Sequence, residues 1–305
     1  MYKKVLFLGS KKLGLSILKT IYHLSGNSLK CIVTFNDSND ERSCLSKFKS
    51  FSNENEIPLY IAEKPSELKD VLLHWKPDLV MVIGWYWIIS DHLLNMVPNG
   101  FVGIHGSLLP KYRGFAPFVW AIINGENETG VSLFYFDNEI DNGDIISQET
   151  ITIKQNDTIS DVLNEAEQHS VKIIEKNYPL LLTDSAPRLK QKTENVSYCS
   201  LRKPEDGQIK WDIPSNEIHN FIRAQSSPYP GAFTFLNGEK YYILKANVFE
   251  GEYFGVPGVV AQKMANKIIV CCGKGAIIIS NVCVENDKSN KISSITFGDK
   301  FQSML

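Results

Sequence analysis

The sequence predicts an α/β fold built on a parallel-type central sheet, followed by a small β-barrel of OB type. Three observations predict it. Short apolar runs alternate with amphipathic stretches through the first two thirds of the chain, and after Pro204 this pattern gives way to closely spaced short strand-like runs. With 305 residues, 43% hydrophobic and 22% charged, the chain is long enough for one large domain and a smaller one. The expected boundaries are residues 1–200 for the first domain, with a polar linker at about 183–203, and 204–305 for the second.

Taken in order, Lys4-Val5-Leu6-Phe7-Leu8 reads as a buried strand, Gly9-Ser10 as a turn, and Leu13 to Leu24 as a helix with apolar residues at helical spacing. Leu29 to Phe35 is a second strand. Ser66 to Trp75 is a helix that Pro77 breaks, and Asp78 to Trp85 is a strand so apolar that both of its faces must be covered. Gly100 to Ile104 is another strand, which delivers His105 at its carboxyl end. Such βαβ grammar implies right-handed crossovers and a ligand site at the carboxyl ends of the strands.

Phe115 to Asn124 follows as a helix, and Gly130 to Phe136 and Ile145 to Ile153 as strands flanking an Asp141-Asn142-Gly143 turn. A helix capped by Asp157 or Ser160 is expected to run to about Lys176, with Pro179 just beyond it. Thr183 to Ser200 is polar and reads as linker. The second domain is expected to hold a helix over Asn216 to Ala224 and strands over 233–235, 241–248, 258–261, 267–272 and 276–284.

Composition excludes several function classes. A net charge of −2 gives no global attraction to nucleic acid or anionic lipid. The six cysteines form no CxxC pair and have no His at zinc spacing, so no metal is expected and the thiols read as reduced, which suits the cytoplasm. Strand alternation at Cys271-Cys272 predicts one thiol pointing inward and one outward. The apolar run Val5 to Leu8 is too short for a signal-peptide core, and Leu79 to Ile89 falls well short of the ~20 residues that span a bilayer.

The chemistry concentrates in Gly103-Ile104-His105-Gly106-Ser107-Leu108-Leu109-Pro110-Lys111-Tyr112-Arg113-Gly114 and in Asp141-Asn142-Gly143-Asp144. A histidine at a strand end with an acidic turn able to fold beside it is acid/base equipment. The Gly9 to Gly14 turn lacks both the GxGxxG spacing of dinucleotide binders and the GK[ST] ending of a P-loop, which argues against nicotinamide or ATP. Ser10, Lys11 and the helix N-terminal amides could still meet a phosphate.

Together with Ala116-Pro117, Asn124-Gly125-Glu126, Thr129-Gly130-Val131, Pro204-Glu205-Asp206, Trp211, His219, Arg223-Ala224 and Pro228 to Phe233, these loops resemble the folate-dependent formyltransferases. That family includes methionyl-tRNA formyltransferases and sugar-nucleotide N-formyltransferases. The resemblance covers nearly the whole chain. It implies a Rossmann-like N-terminal domain that takes the formyl group of 10-formyltetrahydrofolate and passes it to an amine, without a metal. His105 would donate to the oxyanion or relay the amine's proton, and Asp141 would orient the imidazole.

The resemblance also implies a pterin pocket formed by Trp85, Tyr86, Trp87 and Ile88 with Tyr135, Asp137, Ile140 and Asp141. Ser10, Lys11, Ser107, Lys111, Tyr112 and Arg113 are the candidates for meeting the acceptor substrate. One residue departs from the family pattern: Gly103 stands where the family has an Asn whose amide helps hold the oxyanion. Losing such a donor costs roughly two to three orders of magnitude in rate. A backbone amide or water, Ser107, or a substrate group is expected to compensate. The alternative is a catalytically impaired binding protein, in which Gly103→Asn would restore some activity.

From Glu205 onward the chain carries ten acidic and ten basic side chains, with no dense Lys/Arg cluster. A tRNA-clamping domain needs a basic face, so the expected acceptor is an amino-sugar nucleotide, with methionyl-tRNA as the alternative. A homodimer is open as an expectation; an exposed apolar face on the barrel would point to one, but periodicity alone does not locate it.

Overall fold

The computed structural model describes residues 3–302. The chain forms two compact units. The first comprises residues up to Gly114 with Thr129–Ile151 and Asn164–Cys199, and the second comprises Phe115–Glu128, Thr152–Leu163 and the residues from Ser200 onward.

The first unit is built on a seven-stranded sheet. Its strands are β1 (Val5–Gly9), β2 (Leu29–Phe35), β3 (Leu59–Ala62), β4 (Leu79–Ile83), β5 (Phe101–His105), β7 (Glu128–Tyr135) and β8 (Ile145–Thr152), with the two-residue strands β6 (Arg113–Gly114) and β9 (Tyr198–Cys199) pairing outside it. They are ordered β3-β2-β1-β4-β5-β7-β8. The first five run parallel and β7 runs antiparallel to β5. The connections diverge at β1 and β4, so a crevice opens beyond their carboxyl ends, where an open α/β sheet offers a site.

Alternation along β1 explains why both faces are covered. Val5 and Phe7 join a core with Leu18, Ile21 and Ile83, while Leu6 and Leu8 join an opposite core with Val80, Val82, Leu68 and Val71. Burying both faces of β4 is what its unbroken apolar sequence requires. The helices covering the sheet include α1 (Lys11–Ser25), α2 (Leu45–Glu54) and α3 (Leu68–Trp75).

The long helix differs from expectation. It spans Ile159–Leu182 and continues through Pro179 instead of ending near Lys176. Proline removes one backbone donor and ordinarily breaks a helix. Here Tyr178 and Leu181 are buried in the core on either side of it, and the Tyr178 hydroxyl meets Ser25 Oγ at 2.6 Å. That burial outweighs the lost hydrogen bond.

The second unit carries a five-stranded antiparallel sheet consistent with a small barrel. Its strands are β10 (Ala232–Leu236), β11 (Glu239–Val248), β12 (Val260–Met264), β13 (Lys267–Cys271) and β14 (Ala276–Val284), ordered β10-β11-β14-β13-β12. The helix Ser215–Ala224 contributes Ile218 and Ile222 to the core with Ile243, Ile277 and Val282. Trp211 stacks on Phe301 and donates its indole N–H to Thr234 Oγ1 at 2.9 Å.

All six cysteines are free and buried. Cys272 joins the core and Cys271 faces away from it, as alternation predicts, but Cys271 is buried too, because the loop before β12 lies over it: a Cβ at Gly255 would run into Cys271 Sγ. Burial pushes the Cys31 and Cys272 thiols up to about 12 and Cys199 to about 11. Among the described residues, no helix is long and apolar enough to cross a membrane.

Removing the Tyr178 hydroxyl leaves Ser25 Oγ without its buried partner. Tyr178→Phe is therefore expected to lower stability by about 1 kcal/mol, read as an earlier urea midpoint with an unchanged slope.

Candidate active site

β5 ends at His105, whose side chain is buried. Its Nε2 lies 2.8 Å from the carbonyl oxygen of Tyr112. A carbonyl only accepts, so Nε2 carries the hydrogen. On the other side of the ring, Nδ1 lies 3.4 Å from Asp141 Oδ2. The same carboxylate oxygen accepts the Gly114 N–H at 2.8 Å. The structure thus brings His105, Asp141, Tyr112 and Gly114 into one connected group.

The acidic turn is organised by Asp137, which accepts from the Glu139 backbone at 3.0 Å and from Asn142 Nδ2 at 3.3 Å. Gly143 is required there, because a Cβ would fall 1.8 Å from the Tyr135 carbonyl oxygen.

Gly103 is enclosed. It pairs with Val82 of β4 and Phe134 of β7, and a Cβ built on it would lie 2.5 Å from Phe136 Cε1 and 2.7 Å from the Val82 carbonyl oxygen. Phe136 stacks on Phe134, whose ring meets the His105 imidazole edge-on at 6.4 Å. The space for a side chain at 103 is therefore occupied by an aromatic ring and closed by a neighbouring strand. A side chain introduced by Gly103→Asn would meet both: the ring could rotate, but the Val82 carbonyl belongs to the sheet. Ser107 is also committed, since its buried hydroxyl donates to the Lys111 carbonyl at 2.6 Å.

Beyond β4, Trp85, Tyr86 and Trp87 gather around Phe35, with ring centroids 5.4, 5.8 and 5.2 Å from it. Trp85 and Trp87 keep part of their surface open, and Ile88 and Ile140 are 83% and 56% exposed. Large apolar side chains left open past the carboxyl end of β4 and in the acidic turn offer surface that a planar ligand would cover. Tyr135 is buried, with the Arg188 guanidinium 3.5 Å above its ring.

The remaining predicted residues fall into two groups. Ser10 donates to the Gly84 carbonyl at 2.5 Å, and Lys11 is held by Asp37 at 2.6 Å and Asp40 at 2.7 Å. Burial lowers the Lys11 pKa, but the hydrogen bonds to the two carboxylates outweigh it and raise it above lysine's ordinary value. The hydrogen bond from Arg42 holds the Asp40 carboxyl well below the usual range. The two cations and two carboxylates cancel, so this cluster presents no net positive charge to a phosphate. In the loop after β5, Lys111 is exposed. Arg113 is buried, and its guanidinium donates to Gln191 Oε1 and to the Tyr198 hydroxyl.

Asp37, Asp40, Arg188, Gln191 and Ser197 were not singled out from the sequence. No local pattern marks them, because each acts on a residue distant in the chain. Among the described residues, no group of three or more His, Cys, Asp or Glu is placed to hold a metal ion.

Comparison with known proteins matches the chain in two parts. Residues 4–177 match the formyl transferase family and residues 202–300 match the formyl transferase C-terminal domain. The chain is 33% identical over 278 residues to the bifunctional polymyxin resistance protein ArnA of Wigglesworthia glossinidia brevipalpis, covering 90% of this chain but only 42% of that protein. It is 31% identical over 307 residues to the methionyl-tRNA formyltransferase of Syntrophus aciditrophicus (strain SB), covering 98% of this chain and 97% of that one. The N-formyltransferase from Helicobacter canadensis, solved with folinic acid and dTDP-3-aminofucose, shares the fold with a TM-score of 0.72 at 22% identity, covering 92% of this chain and 100% of that one. With both of its domains matched across most of its length, the chain belongs to the formyl transferase family.

Proposed function

We propose that this chain is a folate-dependent N-formyltransferase that moves the formyl group of 10-formyltetrahydrofolate to the amine of a nucleotide-linked amino sugar. The His105–Asp141 pair carries the reaction class. The donor, when bound, supplies the formyl carbon to which the amine nitrogen adds; its own C–N bond then breaks, and its nitrogen takes up the proton the amine gives up, so that tetrahydrofolate leaves. Trp85, Trp87, Ile88 and Ile140 are the surfaces that would cover its ring system, with Tyr135 behind them.

His105 acts through its Nε2 hydrogen. An oxyanion that approaches Nε2 shares that hydrogen with the Tyr112 carbonyl, which keeps the ring oriented, in a buried setting where the bond is worth more than in water. Asp141, beside Nδ1, stabilises positive charge on the ring and is a base within reach of the amine's proton, directly or through water. No side-chain amide is present at 103 to share the oxyanion, so the imidazole bears more of it.

The observation that carries the choice of acceptor is the charge balance of the C-terminal segment, with ten acidic against ten basic side chains from Glu205 onward. Phosphate neutralisation supplies much of the affinity for tRNA, and such a segment offers little of it. The Helicobacter canadensis relative, bound to dTDP-3-aminofucose, supports a sugar nucleotide. Methionyl-tRNA is the second reading, favoured by the 31% identity along nearly all of a methionyl-tRNA formyltransferase.

Incubation with 10-formyltetrahydrofolate and a panel of UDP- and dTDP-linked amino sugars, alongside charged methionyl-tRNA, separates the two. A formyl mass gain on a sugar nucleotide is the expected result, and a gain on methionyl-tRNA alone would select the second reading. His105→Ala and Asp141→Asn are each expected to lower kcat by about two orders of magnitude or more while the folded melting transition is kept. Gly103→Asn is expected to destabilise the chain by about 1–3 kcal/mol through overpacking against Phe136 and β4, and to bring no gain in transfer rate. A faster, equally stable variant would show that the strand can make room.

A further inference from the structure

We infer that Gln191 and Ser197, in the polar stretch that follows the long helix, are positioning residues for the His105–Asp141 pair. This rests on the reading of His105 as the reacting group.

The stretch is tied to the first unit by hydrogen bonds along its length. Leu189 exchanges backbone hydrogen bonds with Ile145 at 2.9 and 2.8 Å. Tyr198–Cys199 forms a short strand parallel to Arg113–Gly114. Gly114, at φ +98°, lets the two backbones meet, since a Cβ there would fall 2.6 Å from the Cys199 carbonyl oxygen.

Between these anchors, the stretch grips both partners of the imidazole. Gln191 Nε2 donates to the Asp141 carbonyl at 2.8 Å and to the Gly143 carbonyl at 2.9 Å, while its Oε1 accepts from Arg113 Nη2 at 2.6 Å and from Nε at 3.2 Å. Both donors and both acceptor sites of the amide are used, so its orientation is fixed: a flipped amide would face its NH2 to a guanidinium and its oxygen to two carbonyls. Ser197 Oγ accepts the Tyr112 N–H at 2.8 Å, and the Ser197 carbonyl accepts the Arg113 N–H at 2.9 Å.

These grips matter because of the backbone they hold. Tyr112 and Asp141 both adopt left-handed conformations, at φ +57° and +50°. Non-glycine residues enter that region at a cost and stay there only where surrounding contacts impose it. One of them presents its carbonyl to His105 Nε2 and the other its carboxylate to Nδ1. Relaxing either backbone would turn away one of the two oxygens that orient the ring, and displacements on the order of 1 Å at a reacting group cost up to about 100-fold in rate.

Gln191→Glu is the discriminating variant. If Gln191 served only to hold Arg113, a carboxylate would form an ion pair there and be tolerated. As a positioning residue it would instead set an anionic oxygen against the carbonyls of Asp141 and Gly143. The expected result is a fall in kcat of roughly tenfold or more, with KM for 10-formyltetrahydrofolate changed by less than about twofold. Ser197→Ala is expected to act the same way, and Ser197→Thr, which keeps the hydroxyl acceptor, to recover most of the loss. A wild-type kcat in Gln191→Glu, or no difference between the Ala and Thr variants at 197, would overturn the inference.

A second readout is independent of turnover. In the 15N-labelled protein, the ring nitrogens of His105, assigned by their loss in His105→Gln, are expected to shift in both Gln191→Glu and Ser197→Ala. Unmoved resonances in folded variants would overturn the positioning role even if the wild-type chain formylates no acceptor, an outcome that would count against the proposed function alone.

Discussion

His105 has an oxygen at each ring nitrogen, the Tyr112 carbonyl at 2.8 Å and the Asp141 carboxylate at 3.4 Å, and much of the first unit is arranged so that this remains so. Five parallel strands bring the imidazole to the carboxyl end of β5. The acidic turn is folded back by Asp137 and Gly143, and the loop after β5 is drawn toward it by the Gly114 N–H on Asp141. A buried imidazole needs its nitrogens satisfied, and the groups that satisfy these are also the ones that set its chemistry.

The same packing explains what the site lacks. Phe136, Phe134 and the Val82 carbonyl close the space around Gly103. The rings fill the room that a side-chain amide would need. Glycine at 103 and phenylalanine at 136 are thus two parts of one arrangement and cannot be weighed separately.

Charge is handled locally at the open end of the sheet. Lys11 and Arg42 are met by Asp37 and Asp40, and Arg113 is consumed by Gln191 and Tyr198. Basic residues that look available in the sequence are spent holding loops, while Lys111, in the loop after β5, is exposed.

The sequence by itself determined the strand and helix order, because apolar periodicity and Gly/Pro punctuation are local properties. The runs Leu29–Phe35 and Ala276–Val284 fall where their patterns end. It also determined the elements of the site, since His105 closes a strand and Asp141 opens a turn, and the spacing of those loops carried the resemblance to the family. Tertiary structure decided the rest. Pro179 stays helical because Tyr178 is buried beside it, Cys271 is covered by a loop remote in sequence, and Gly103 is confined by two other strands. The polar stretch from 183 to 199 reads as linker because it has no apolar face. Its residues dock through hydrogen bonds, and which carbonyl or amide a Gln or Ser will find is fixed only when the chain has brought distant backbones together.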